Sequence, residues 1–206
     1  MFTSLISILG LSFLLGIKHA TDADHVVAIN TIVSGQKKGI LSSALVGIWW
    51  GIGHSVTVTL AGIPIILFSF VVPQSVGVFL EFLVGLMLVI LGLFNLRHHH
   101  PHPQKFRPLI MGFIHGLAGS TAIALLILST IRNVNLAIFY LFIFHIGVIS
   151  GMMLVTLGIG ASITIAKRKS ENLNHYLVPL SGLLSLIFGL YIMYSTSFPL
   201  PMWERV

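Results

Sequence analysis

Long apolar runs alternate with short polar segments along the whole chain. A bilayer hydrocarbon core of ~30 Å is crossed by about 20 helical residues, and six of the apolar runs reach that length. The first, second and fifth exceed it, so we expect tilt, a kink or a break there, with Pro64 as one candidate position. The predicted helices cover residues 3–33, 40–70, 76–96, 108–131, 134–166 and 175–198.

Composition supports a lipid environment. Apolar residues make up 56% of the 206 positions and charged residues only 8%, which excludes an ordinary soluble domain of about 25% charged residues. The fold class predicted is therefore an all-α membrane protein. Eight of the 11 Lys and Arg residues lie in short clusters between apolar runs, which does not indicate a nucleic-acid partner. No cysteine is present, so any metal ion must be bound by nitrogen and oxygen.

The basic clusters predict the orientation in the cell membrane. They follow the first, third and fifth helices, and loops rich in Lys and Arg remain in the cytoplasm. Both termini are then outside the cell, and the apolar N-terminal residues lack the basic start of a cleaved signal peptide. The basic residues concerned are Lys37, Lys38, Arg97, Lys105, Arg107, Lys167, Arg168 and Lys169.

The six helices divide into two groups of three. Residues 1–96 form the first group and residues 108–206 the second, with a His-rich cytoplasmic loop at residues 97–107. Because three is an odd number, two duplicated groups would be inverted repeats in the membrane.

Weak internal similarity supports this duplication. Residues 16–20 (Gly-Ile-Lys-His-Ala) parallel residues 112–116 (Gly-Phe-Ile-His-Gly) at a spacing of 96, and His54 parallels His145 at a spacing of 91. A Val/Leu pattern in the third helix recurs in the sixth at a spacing of 100. The alternative is chance alignment of Leu-rich helices.

The first helix contains a run of ionisable residues: Lys18, His19, Asp22, Asp24 and His25. Each Asp or Lys at the centre of a membrane helix costs roughly 2.5 to 3.5 kcal/mol, so the groups must pair, meet water or hold a cation. On a regular helix His19, Asp22 and His25 share one face and Asp24 points away, whereas a local break would let all four converge. Lys18 is four residues before Asp22 and could pair with it.

These side chains suit a transition-metal ion. Two imidazoles with one or two carboxylates favour Ni²⁺, Co²⁺ or Zn²⁺ and contain too much nitrogen for Mg²⁺ or Ca²⁺. The alternative is a buried ion-pair cluster that only fixes helix packing. In the second helix, glycines at positions 47, 51 and 53 allow close helix packing that would bring His54 against the first helix, either as a ligand or behind one.

The remaining histidines are weaker candidates. His115 and His145 could form a mirror site or a relay, or could be packing residues. His175, at the start of the sixth helix, is expected to be an interface residue. The central loop is either a cytoplasmic metal buffer or a solvated basic linker, and its histidines are His98, His99, His100 and His102.

Two of these segments carry a family resemblance. The run His19-Ala-Thr-Asp-Ala-Asp24-His25 resembles the His-x4-Asp-His signature of the nickel/cobalt transporter family, and Gly-Ile-Gly-His54-Ser resembles its second signature helix. The likeness is strong over residues 16–60; the remainder is more loosely similar to the shorter permeases found with urease genes. This resemblance implies a secondary permease for Ni²⁺ or Co²⁺, with His19, Asp24 and His25 essential and His54 contributing.

The resemblance also implies what accompanies the ion. The chain would be no enzyme and would need no cofactor; its partners would be the lipid bilayer and a downstream metal acceptor such as urease maturation proteins. Compared with the family pattern, the chain lacks the first of eight usual spans and a later acidic segment, so a preference between nickel and cobalt is not carried over.

Uptake is the expected function, driven by the membrane potential or by proton coupling, since His ligands must be neutral to bind a metal ion and exchange protons with it. The sequence has no P-loop for ATP coupling. A metal exporter with the same ligands is one alternative. A rhomboid-like intramembrane serine protease is another, based on Gly119 and Ser120, but no histidine lies deep in the sixth helix to act as its base. A haem-binding electron carrier would leave Asp22 and Asp24 unexplained.

Overall fold

The computed structural model describes residues 2–34, 39–68, 73–97, 106–116, 121–169 and 173–197, and these residues are helical apart from short connections. Four of the helices, α3, α4, α7 and α8, are long and apolar enough to cross a membrane. The helices are α1 (Phe2–Ala20), α2 (Ala23–Ser34), α3 (Ile40–Phe68), α4 (Gln74–Arg97), α5 (Arg107–His115), α6 (Thr121–Thr130), α7 (Val134–Lys169) and α8 (Leu173–Ser197).

The first apolar run is broken into α1 and α2 at Thr21 and Asp22, which is one of the outcomes (tilt, a kink or a break) expected from its excess length. The backbone N–H of Thr21 donates to the Lys18 carbonyl (3.0 Å) and that of Asp22 to the His19 carbonyl (3.1 Å). The Thr21 hydroxyl also donates to the Lys18 carbonyl, at 2.6 Å. A tight turn and one side chain therefore satisfy backbone groups that a helix end would leave unpaired.

The fourth apolar run is also interrupted, which its length did not predict. Helix α5 ends at His115 and α6 begins at Thr121, so the single helix expected over residues 108–131 is wrong. The breaks considered for the second and fifth runs are absent, because α3 continues through Pro64 and α7 is one helix of 36 residues. A helix loses one hydrogen bond at an internal proline and can continue past it.

Glycines let α1 and α7 pack backbone against backbone. A Cβ atom added to Gly16 would collide with the Phe144 carbonyl, and one added to Gly147 would collide with the Phe13 carbonyl. Residues later in α1 contact residues later in α7, so the two helices run parallel. A side chain at either glycine would force the helices apart.

The same contact recurs between α5 and α3, which also run parallel. A Cβ atom on Gly112 would collide with the Trp50 carbonyl, and one on Gly53 would collide with the Leu109 carbonyl. The two contacts can be matched position by position. Equivalent positions in α1 and α5 are 96 residues apart, and equivalent positions in α7 and α3 are 94 residues apart.

Helices α3 and α7 are antiparallel, since Gly47 lies against Met152 and Gly62 against Leu141. Equivalent positions of α3 and α7 in the two parallel contacts are 94 residues apart, whereas His54 and His145 are 91 residues apart. Helices α4 and α8 are antiparallel too. Each contacting glycine of α4 has a counterpart in α8 that is 97 residues later, whereas the Val/Leu pattern of the sequence recurs at a spacing of 100. Those glycines are Gly85, Gly92, Gly182 and Gly189.

Hydrogen bonds hold the end of α2 against α4 and α8. The Asn95 amide donates to the Thr31 carbonyl at 2.7 Å, and the hydroxyls of Ser34 and Ser181 are 2.7 Å apart. All four residues are buried. This network fixes the direction in which α2 leaves the break.

The outward faces of the long helices are apolar. Large apolar side chains are exposed on each of α3, α4, α7 and α8, where a water-soluble protein would carry charges. Lipid is the solvent that matches such a surface. Examples are Leu41, Phe79, Phe142 and Ile187.

Candidate metal centre

Three histidines converge at the break between α1 and α2. His19 is in the last turn of α1, His25 is in the first turn of α2, and His54 comes from the middle of α3. The ring centroid of His19 is 4.5 Å from that of His25 and 4.6 Å from that of His54. Each residue is at most 1% exposed, so the three imidazoles meet inside the protein.

Asp24 and His115 extend this cluster on its other side. The rings of His25 and His115 are 4.8 Å apart. Asp24 Oδ1 is 3.0 Å from His25 Nδ1, and its Oδ2 is 3.7 Å from His115 Nε2. On a regular helix Asp24 would point away from the histidines, but the break turns it toward them.

The ligand atoms form two sets of three that share His25. The first set contains His19, His25 and His54, and the second contains Asp24, His25 and His115. Within each set the atoms lie within 4.8 Å of one another. Ligands about 2.1 Å from one ion are at most about 4.2 Å apart, so a small contraction would close either set around a metal ion.

Several buried nitrogens in the cluster have no protein partner. Among the described residues, no hydrogen-bond partner is found for either ring nitrogen of His54 or for Nε2 of His25. A buried polar atom without a partner costs about 1 to 3 kcal/mol. In a cluster that only fixed helix packing, these nitrogens would form hydrogen bonds with protein atoms. A bound cation would instead be coordinated by them.

Asp22 lies behind His19 and belongs to neither set. Its Oδ2 is 3.2 Å from His19 Nδ1, and its Oδ1 is 3.9 Å from the Lys18 ammonium. When Nδ1 of His19 donates to this carboxylate, Nε2 is the nitrogen that can bind an ion. A carboxylate in this position fixes the orientation of a metal-binding imidazole.

Of the other predicted residues, His145 is described and lies outside the two sets. Nε2 of His145 is 2.8 Å from the Thr59 hydroxyl, and its ring adjoins Phe144. The side chain of His175 and residues 98–105 of the central loop are outside the described residues. The loop positions concerned are His98, His99, His100 and His102.

Two aromatic residues that the sequence did not single out form walls of the site. The Trp50 ring is 5.0 Å from His115 and 6.2 Å from His25, and it is fully buried. The Phe144 ring is 6.2 Å from His19. Trp50 is four residues before His54, and that helical spacing is the signal that would have indicated it.

The fold and the site together define a helical membrane protein whose buried histidines and aspartate form a candidate site for a divalent transition-metal ion. Comparison with known proteins gives its family. The NicO family profile, described as high-affinity nickel-transport protein, matches residues 5–107, half of the chain. The chain belongs to this family of nickel transporters.

A curated relative covers nearly the whole chain. The urease accessory protein UreH of Bacillus sp. (strain TB-90) is 37% identical over 212 residues, which span 93% of this chain and 92% of the relative. No solved structure matches. The family resemblance is thus confirmed and the chain is a permease-family protein, not an enzyme, so the protease alternative has no support.

Proposed function

We propose that the protein takes up Ni²⁺ into the cytoplasm across the cell membrane, with Co²⁺ as a second substrate. The ion binds at the break between α1 and α2, where His19, His25 and His54 meet beside Asp24. The observation that carries the proposal is His54, which is completely buried and has no partner for either nitrogen within the described part of the chain.

The proposed membrane arrangement has six crossings in two inverted repeats, residues 1–96 and 108–206. Helices α1–α2 form one interrupted crossing and α5–α6 another. Helix directions support it: α1 is parallel to α7, α7 is antiparallel to α3, and α3 is parallel to α5, so α1 and α5 run in opposite directions. Their carboxyl ends, which carry partial negative charge, then approach the site from opposite sides of the membrane and favour a cation.

The length of α5 supports a site near the middle of the bilayer. Arg107 starts this helix of nine residues, and a basic residue favours the membrane surface. Nine residues rise about 13 Å, which is close to half of a ~30 Å hydrocarbon core. His115 at the far end would therefore lie near the midplane, and the His25 ring is 4.8 Å from it.

Charge distribution supports the orientation and the direction. With the basic loops cytoplasmic and both termini outside, an interior-negative potential draws a cation inward. The potential contributes about 2.3 kcal/mol per elementary charge per 100 mV, so a dication gains about 4.6 kcal/mol, equivalent to a concentration ratio on the order of 10³. Uptake then needs no second energy source. A urease maturation protein is the acceptor we propose, because the relative UreH is called a urease accessory protein.

Accumulation of radioactive nickel in cells expressing the protein tests the proposal. We expect His19→Ala, Asp24→Asn, His25→Ala and His54→Ala each to abolish uptake while the protein still reaches the membrane, because each removes a ligand from a three-ligand set. His175→Ala, the same substitution at the start of α8, is the control and should retain uptake. Near-normal uptake in all four site variants would refute the site.

A further inference from the structure

We propose that the site holds one ion at two overlapping positions that share His25, and that His115 is the ligand that receives the ion at the second position. This inference rests on the proposed function. The ion would first bind His19, His25 and His54, and would then exchange two of these ligands for Asp24 and His115.

His25 lies between the two positions. Its ring centroid is 4.5 Å from that of His19 and 4.8 Å from that of His115. Its Nδ1 is on the Asp24 side, 3.0 Å from the carboxylate, while its Nε2 has no partner among the described residues. One imidazole can thus offer a nitrogen at each of the two positions.

The distance between Asp24 and His115 fits a shared ion better than a direct bond. Oδ2 of Asp24 and Nε2 of His115 are 3.7 Å apart, which is too long for a hydrogen bond. Two ligands that each lie about 2.1 Å from one ion are about 3.0 to 4.2 Å apart, depending on the angle between them. His115 is completely buried.

The two positions face opposite sides of the proposed membrane arrangement. His19 lies in the last turn of α1 and His115 ends α5, and these helices run in opposite directions. Exchange from the first position to the second therefore moves the ion across the middle of the protein while His25 offers it a ligand at both positions. Two adjacent sites let an ion bind firmly enough to enter and still leave on the other side.

Measurements of binding and flux on the same purified full-length protein separate the two positions. Ni²⁺ binding would be measured at equilibrium in detergent, and Ni²⁺ flux in proteoliposomes with an interior-negative potential. We expect His115→Ala to bind Ni²⁺ about as tightly as the wild type and to lose flux by at least ~10-fold. His54→Ala should weaken binding by at least ~10-fold. His175→Ala is the control for both measurements.

Two results would overturn the inference. Wild-type flux in His115→Ala would remove His115 from the path, and a loss of binding as large as that of His54→Ala would indicate a single site. If His115→Ala does not elute as a folded species, His115→Asn is judged by the same criteria, since it keeps a polar side chain but has no atom at the Nε2 position. Failure of the proposed function differs from both, because the wild type itself would neither bind nor move Ni²⁺.

Discussion

Asp22 and Asp24 are two residues apart and face different partners. Asp24 contributes a carboxylate oxygen to one of the ligand sets, whereas Asp22 contacts the Nδ1 atom of His19 from behind. The difference arises at the break, because Asp22 lies in the turn and Asp24 in the first turn of α2. Two identical side chains in one motif should therefore respond differently to the same substitution.

We expect Asp22→Asn to raise the nickel concentration for half-maximal uptake by about 10- to 100-fold and to leave the maximal rate measurable, since loss of a carboxylate behind a metal ligand has this effect. Asp24→Asn should remove uptake at every concentration. The measurement is the concentration dependence of radioactive nickel uptake, with membrane content checked by immunoblot. Equal losses in the two variants would contradict the separate roles.

At this scale the sequence predicted much of the candidate site. The motif placed His19, Asp24 and His25 together, and small residues around His54 indicated its approach to the first helix. The position of His115 could not be assigned from local pattern, because it is 90 residues from His25 and reaches it only through the packing of α5 on α3. The direction of Asp24 depended on the break, since a regular helix would point it the other way.

Helix contacts in this protein depend on positions without side chains. Gly53 on α3 lies against the backbone of α5 near Leu109, and this contact brings His115 to the site. Gly158 on α7 provides a matched comparison, because a Cβ atom added there would have nothing within 4 Å.

We expect Gly53→Ala to lower the thermal unfolding temperature in detergent, because its methyl group forces α3 and α5 apart at a cost of about 1 to 3 kcal/mol. Gly158→Ala should leave that temperature unchanged or raise it, since alanine favours a helix by up to ~1 kcal/mol relative to glycine. An unfolding temperature for Gly53→Ala equal to that of Gly158→Ala would show that α3 and α5 do not pack as described.

The two breaks differ in how far the sequence predicts them. The first apolar run is longer than one crossing needs, so tilt, a kink or a break was expected there, and a break would let its ionisable residues converge. The run over residues 108–131 has the length of an ordinary crossing and no charged residue inside it. Its interruption after His115 follows from contacts with other helices, which hydropathy does not record; Gly116, for example, lies against Thr57 of α3.

For the molecule as a whole, the electrical potential should determine the direction of net nickel movement. In proteoliposomes we expect an interior-negative potassium diffusion potential to accumulate Ni²⁺ and an interior-positive potential to prevent accumulation, because the ion carries two charges through the membrane. Vesicles containing His25→Ala are the control for leakage. Accumulation that is the same for both polarities would indicate that charge movement does not drive transport.

The nitrogens of His54, which have no partner among the residues that the structure describes, also have a consequence outside transport. Any ligand that binds only the folded state stabilises it, by about 2.7 kcal/mol at a concentration 100 times its dissociation constant. Bound Ni²⁺ would therefore raise the stability of the folded protein for as long as it occupies the site. In cells starved of nickel the protein should resist heat and proteolysis less well than in cells supplied with it, so that its lifetime reports the metal supply.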